Sequence, residues 1–354
     1  MALEDKFNAL PEGVESEDVA ELRRALMRVQ KQLLQAKQRT DDLVEVTQQA
    51  AYDAMLAMGP IKPVKAPEVS KGTKKKPEVA LWHLTDWQGA KKTPSYNSEV
   101  MQQRVMSFAE KAVKITDIMR ADHPVNDCVI MFGGDMIEGL FNFPSQAHEI
   151  DQTLFGQYVT VSKLIVEIVQ YALTNYQKVT VVPEWGNHGR IGSKRDNVPR
   201  SDNFDRMCYE LARQLLKGEK RLTWQECPDD IQRVYIPDPT GKGLGYRALL
   251  IHGDEVGRNG FASPAAIVQH ANRWKSGAYD PSFAWRDLYI GHYHTHAEWP
   301  MANGLGSVYQ TGSTESENRY AGVMLAASAT PSQRLHFVDP VKGRVTAAYK
   351  IWLD

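Results

Sequence analysis

Five segments of this sequence end an apolar, β-rich run in residue types that hold metal ions. LWHLTDWQG sets Asp86 and Gln88 two apart, and VIMFGGDMIEG uses Gly133 and Gly134 for a tight turn that presents Asp135, with Glu138 one helical turn further on. VVPEWGNHGR supplies Asn187 and His188, and LLIHGDE supplies His252. In LYIGHYHTH, His292 and His294 alternate to the same side of an extended segment. Carboxylate and amide oxygens suit hard divalent ions such as manganese, and imidazole suits borderline metals. A pair of ions about 3.5–4 Å apart, held by such a mixed set, activates a water and offsets charge developing at phosphorus, which makes phosphate esters the natural substrates.

Chemistry of this kind needs elements that bring the five segments to one place, and open α/β sheets do so at the carboxyl ends of their strands. Val79 to Thr85, Cys128 to Phe132, Val179 to Val182, Ala248 to His252 and Leu288 to Gly291 read as strands. Helical patterns lie between them at Glu99 to Ala121, Gln152 to Thr174, Ser201 to Leu216 and Ala265 to Trp274; Gly306 to Leu353 reads as mostly short strands and turns. The alternation predicts an α/β sandwich of layered sheets and helices.

The chain before residue 79 is of another kind. From Ser16 to Met58, Leu22, Leu26, Val29, Leu33, Ala36, Thr40, Leu43, Thr47, Ala50 and Ala54 recur at spacings of four and three, a heptad seam that predicts self-association. Gly59 to Glu78 is rich in proline and lysine and reads as an extended linker. The expected organisation is therefore a helical coiled-coil segment at 1–58, a linker at 59–78 and a catalytic domain at 79–354.

Each piece has a plainer explanation when taken alone. Asp86 after a strand caps a turn or helix, Gly134-Asp135 is an ordinary turn pair, Asn187 suits a left-handed turn, and a lone His252 is an interior histidine. Five weak signals in order at strand ends are what argue for a single centre.

The ordered set resembles the calcineurin-like metallophosphoesterase superfamily, whose pattern runs Asp-x-His, Gly-Asp-x-x-(Asp/Glu/His), Gly-Asn-His, a later His, then Gly-His-x-His. The resemblance covers Val79 to about Ser313, and VYQTGS is similar to the Pro-Gly-Ser turn that often follows, with Thr311 in place of the proline. It implies a four-layer α/β/β/α sandwich. It also implies that Asp86, Gln88, Asp135 and His294 hold one ion, with Asp135 bridging to a second held by Asn187, His252 and His292. His188 is then the acid that protonates the leaving oxygen or steadies the phosphate, oriented by Glu138. Two positions depart from the pattern. Gln88 stands where histidine is usual and donates more weakly, which implies a loosely held first ion or one that is manganese or magnesium, with iron and zinc the other candidates for the pair, and Gly189 follows His188 where an acid is common. His83 and His296 match no position and are expected to be structural.

The 42 basic and 43 acidic residues leave a net charge of −1, which argues against a globally basic nucleic-acid binder. Cys128, Cys208 and Cys227 lack metal-site spacing and are expected to be free thiols. No segment reads as a signal peptide or a membrane span, so the expectation is a soluble intracellular protein without a membrane partner. For the substrate the leading expectation is DNA, by similarity to the repair-nuclease branch that works with a coiled-coil ATPase. The segment GRIGSKRDNVPR directly after His188 offers Arg190, Lys194, Arg195 and Arg200 to flanking phosphates. A small-nucleotide phosphodiesterase is the alternative enzyme, and a scaffold whose helix organises a partner protein is the alternative of another class.

Overall fold

The computed structural model describes residues 27, 28, 31, 32, 42, 45, 46, 49, 50, 53, 57, 59 and 61–69, and from residue 76 onward every position except 141, 143–145, 192–198, 228–230, 257–261, 279–281, 305 and 318–329. The chain divides into two units, 1–54 and 55–354. In the first, the described residues are helical. Of the heptad seam Ala50 is described, and its other members lie outside the described residues.

The second unit holds two sheets. Strands β1 (Glu78–Leu84), β2 (Val125–Gly133), β3 (Lys178–Glu184) and β4 (Leu222–Trp224) run parallel, while β10 (Ser332–Asp339) and β11 (Arg344–Trp352) extend the sheet antiparallel from β1, giving the order β11-β10-β1-β2-β3-β4. The second sheet runs β5 (Gln232–Ile236), β6 (Tyr246–Leu250), β7 (Asp287–Ile290), β9 (Ser307–Gln310), β8 (Ala297–Pro300); its three central strands are parallel and its two edges antiparallel. The sheets face each other across a core in which Leu81, Met131 and Val182 meet Val234, Ala248, Leu250 and Tyr289. Removing one such side chain, as in Leu81→Ala, costs about 2–5 kcal/mol.

Helices cover the outer faces. Helix α1 (Ser98–Arg120) is capped by Asn97, whose side chain accepts from the Val100 N–H, and α2 (Leu154–Asn175) is capped by Thr153. Both lie with α3 (Phe204–Leu215) on the first sheet, where Trp82 meets Phe108 and Tyr176 edge-on. Helix α4 (Pro264–Arg273), capped by Ser263 with proline in its first turn, puts Ile267 and Ala271 against Leu249, Leu288 and Ile290 on the second sheet. The layers therefore run α/β/β/α.

Three differences from the sequence reading have local causes. Residues 61–69 form neither helix nor strand, yet they are docked: Arg221 donates to the Val64 carbonyl at 2.9 Å, Gln177 donates to the Pro67 carbonyl, and the Ile61 N–H reaches Leu215. The C-terminal region holds a long hairpin, β10 and β11, rather than only short strands. The segment after Asp135 is non-helical, with Ile137 bridged to Gly89, so Glu138 is not one helical turn on. Among the described residues no helix is long and apolar enough to cross a membrane.

Candidate metal centre

Every candidate ligand lies just beyond the carboxyl end of a parallel strand: Asp86 and Gln88 after β1, Asp135 after β2, Asn187 after β3, His252 after β6, His292 and His294 after β7. The backbone there is unusual. Asp86, Gln88, Asp135, His292 and His294 all have φ between 48° and 65°, a left-handed conformation that costs non-glycine residues of order 1–3 kcal/mol each. Strain concentrated on five residues of one centre is expected where side chains must be aimed rather than packed. Two glycines make the approach possible. Gly134 has φ 88° and lies against the Gly186 backbone, and a Cβ on Gly186 would overlap Asp135 Oδ1.

The Asp135 carboxylate is central. Its Oδ1 accepts from the His188 N–H at 2.7 Å, while its Oδ2 lies 3.0 Å from His252 Nε2 and 3.4 Å from Gln88 Nε2. Burial alone would raise its pKa, but the facing His252 and His188 hold it well below the carboxylate range. On one flank, His252 Nε2 also faces Asn187 Oδ1 at 3.1 Å and His292 Nδ1 at 3.2 Å. His252 Nδ1 must be a donor, because its partner at 2.8 Å is the Gly133 carbonyl. Its Nε2 therefore points a lone pair, or a proton, at three electron-rich atoms. The potential ligand atoms of Asp135, His252 and His292 all lie within 4.8 Å of one another.

On the other flank, His294 Nε2 lies 3.3 Å from Asp86 Oδ1 and 3.3 Å from Gln88 Nε2. Asp86 also accepts from Thr85 Oγ1 and the His292 N–H. Gln88 is buried and its Oε1 accepts no hydrogen bond. A half-turn of the amide would place that oxygen between Asp135 and His294, where a cation would be its partner. A ring of carboxylate, amide and imidazole acceptors turned toward one another, together with an orphaned buried amide oxygen, fits divalent metal ions.

His188 stands beside this set, with Nε2 3.9 Å from Asp135 Oδ2. Its Nδ1 lies 3.1 Å from the Glu138 carbonyl and 3.2 Å from Glu138 Oε2. Burial disfavours the charged ring, but Asp135 and Glu138 outweigh it and raise the pKa to about 9. Burial is likewise overcome at His294, where Asp86 and Glu315 raise the pKa to about 10.

Three contributors went unread in the sequence. Asp205 collects four backbone N–H groups, from Asp135, Met136, Ile137 and Gly186, and so fixes two ligand-bearing turns. It sits in the first turn of α3 behind the cap Asn203, where an acid reads as an ordinary helix start. Lys91 bridges Glu138 and Glu149 at 3.1 and 2.8 Å. Glu315, after β9, places Oε2 3.2 Å from His294 Nδ1.

The basic segment is partly neutralised. Arg190 pairs with Asp254 at 3.2 Å, and Arg200 pairs with Glu255 and Glu184. Lys194 and Arg195 lie outside the described residues. His83 and His296 are apart from the candidate ligands: His83 is fully buried against Thr311, and burial with Arg334 lowers the His296 pKa to about 3. Cys128 and Cys208 are buried and Cys227 is partly so, all three as free thiols.

No protein-family model matches the sequence, and no curated protein does. Among solved structures, the chain is similar to Vps29 of Entamoeba histolytica complexed with Zn2+, at 11% identity over 78% of this chain and 99% of that one, with a TM-score of 0.34. A Streptococcus pneumoniae protein described as a predicted phosphoesterase aligns at 10% identity over 78% and 98%, with a TM-score of 0.30. The sulfate thiohydrolase SoxB of Thermus thermophilus aligns at 9% identity over 79% and 58%, with a TM-score of 0.36. Likeness at this level leaves the functional argument with the residues themselves.

Proposed function

We propose that this chain is a metal-dependent phosphodiester hydrolase of the calcineurin-like type, with DNA as its leading substrate. The observation that carries the reading is the position of Asp135 Oδ2 between His252 on one flank and Gln88 on the other, with His188 alongside. Asp86, Gln88, Asp135 and His294 would hold one divalent ion, preferably manganese, and Asp135, Asn187, His252 and His292 a second. When bound, such ions supply Lewis-acid stabilisation of the phosphate and a water activated for in-line attack.

The protein's own part in the reaction falls to His188. Its Nδ1 is turned toward Glu138, whose carboxylate favours the protonated ring, leaving Nε2 toward the centre. It is thereby able to donate to the leaving oxygen, which suits a diester whose alkoxide leaves poorly without a proton. Lys91 neutralises Glu138 from behind and holds it in place. For DNA, support comes from the composition of the sequence after His188: Arg190 and Arg200 pair with Asp254 and Glu255, and Lys194 and Arg195 add positive charge for flanking phosphates.

The test is manganese-dependent hydrolysis of labelled single- and double-stranded DNA and of bis(p-nitrophenyl) phosphate, comparing wild type with His188→Ala. DNA cleavage that the substitution abolishes supports the full reading. Cleavage of the small diester alone would replace DNA with a small nucleotide diester. No hydrolysis of any substrate, with partner binding lost when residues 1–58 are removed, would replace the enzyme with a scaffold.

A further inference from the structure

The geometry points to Glu315 as the positioning residue that compensates, through His294, for the weak donor that Gln88 places in a metal position. The inference rests on the two-ion reading above and concerns one flank of that centre.

The two flanks are built differently. His252 gives its Nδ1 proton to a neutral backbone carbonyl, that of Gly133, at 2.8 Å. His294 instead has a carboxylate at Nδ1, Glu315 Oε2 at 3.2 Å, and its Nε2 faces Asp86 and Gln88. A carboxylate behind an imidazole fixes the tautomer with the proton on Nδ1, orients the ring and makes the opposite nitrogen a stronger donor. That gain falls on the flank where a neutral amide, Gln88, donates more weakly than an imidazole.

Glu315 is held for this role. Its own N–H donates to Ser313 Oγ at 2.9 Å, and Ser313 Oγ donates to the Asp86 carbonyl at 2.7 Å. The Thr314 N–H reaches the same carbonyl at 3.3 Å. The turn that carries Glu315 is therefore fastened to the backbone of Asp86, and the carboxylate aligning His294 is registered to another ligand of the same ion. Glu315 is 5% exposed, so its carboxylate is held out of water behind the ring it faces.

The experiment is titration of the metal-free full-length chain with Mn2+, following free ion by electron paramagnetic resonance, for wild type, Glu315→Ala, Glu315→Gln and the double variant Glu315→Ala/Gln88→His. Glu315→Ala is expected to weaken one of two binding steps by about 10–100-fold. The other step should stay within about twofold, which also reports that the variant is folded. Glu315→Gln should lose less, because its amide oxygen still accepts from Nδ1, and Gln88→His should restore the weakened step by adding an imidazole. Equal weakening of both steps, no weakening, or failure of Gln88→His to restore binding would overturn the inference while leaving two ions in place. A wild-type chain that binds fewer than two Mn2+ would overturn the two-ion reading itself.

Discussion

Two groups of buried and half-buried histidines lie in this sandwich, and they face opposite charges. His188, His252 and His294, at the mouths of the strands, stand against Asp86, Asp135, Glu138 and Glu315, and all three have raised pKa values, while His292 beside them is lowered by burial and by its neighbour His252. His83, His296 and His336 surround Arg334, which is 1% exposed and is in no ion pair among the described residues. Arg334 is held by the Ala297 and Gln310 carbonyls at 2.8 Å, by Thr311 Oγ1 and by His336 Nε2. Burial and then the arginine depress the pKa of all three. One group sits among acids and the other around a cation, so the acids, not the number of histidines, mark the candidate metal centre.

Removing metal has the largest expected effect. Dialysis against a chelator is expected to lower hydrolysis by at least about 10³-fold, with recovery on adding Mn2+; full activity without metal would deny the first group its role. Next comes His188→Ala, expected to keep bound metal while lowering kcat by roughly 10²–10⁴-fold. An unchanged rate would leave His188 with no part in proton transfer. Arg334→Met acts on the other group. It strips a donor from two carbonyls, a threonine and a histidine, so a loss of about 1–3 kcal/mol in unfolding free energy is expected, with Mn2+ uptake unaltered.

The smallest effect is the pH dependence of stability in the metal-free chain. His188 and His294 have folded pKa values of about 9 and 10, above 6.5, so their contribution is complete below pH 6.5 and is lost as pH rises toward 10. The Arg334 group works oppositely: its depressed values make folding less favourable as pH falls below 6.5. Thermal melts from pH 5 to 10 should show both limbs, and Mn2+ should flatten the alkaline one. A curve still rising at pH 10 would contradict the charge assignment.

The layered α/β architecture and the strand ends that carry the candidate ligands were legible because β1, β2, β3, β6 and β7 are apolar runs with polar residues just beyond their ends. Strands with another pattern were not. β5, QRVYI, mixes Gln232 and Arg233 into a short edge, and β8, AEWP, ends in proline. β10 hides its length because Gln333, Arg334 and His336 are buried polar residues in a strand that is buried throughout. Asp205 and Glu315 escaped for a common reason. Each lies where acids are ordinary, one at a helix start and one in a Ser/Thr-rich turn, and their use depends on contacts about 20 to 70 residues away in the chain.

The Asp135 carboxylate faces both flanks of the candidate centre, and its part in holding both ions is read by counting Mn2+ on the purified chain and on Asp135→Ala by elemental analysis after gel filtration. Two ions per wild-type chain and none on Asp135→Ala is the expected result. Two ions retained by Asp135→Ala, with the variant folded, would contradict the account.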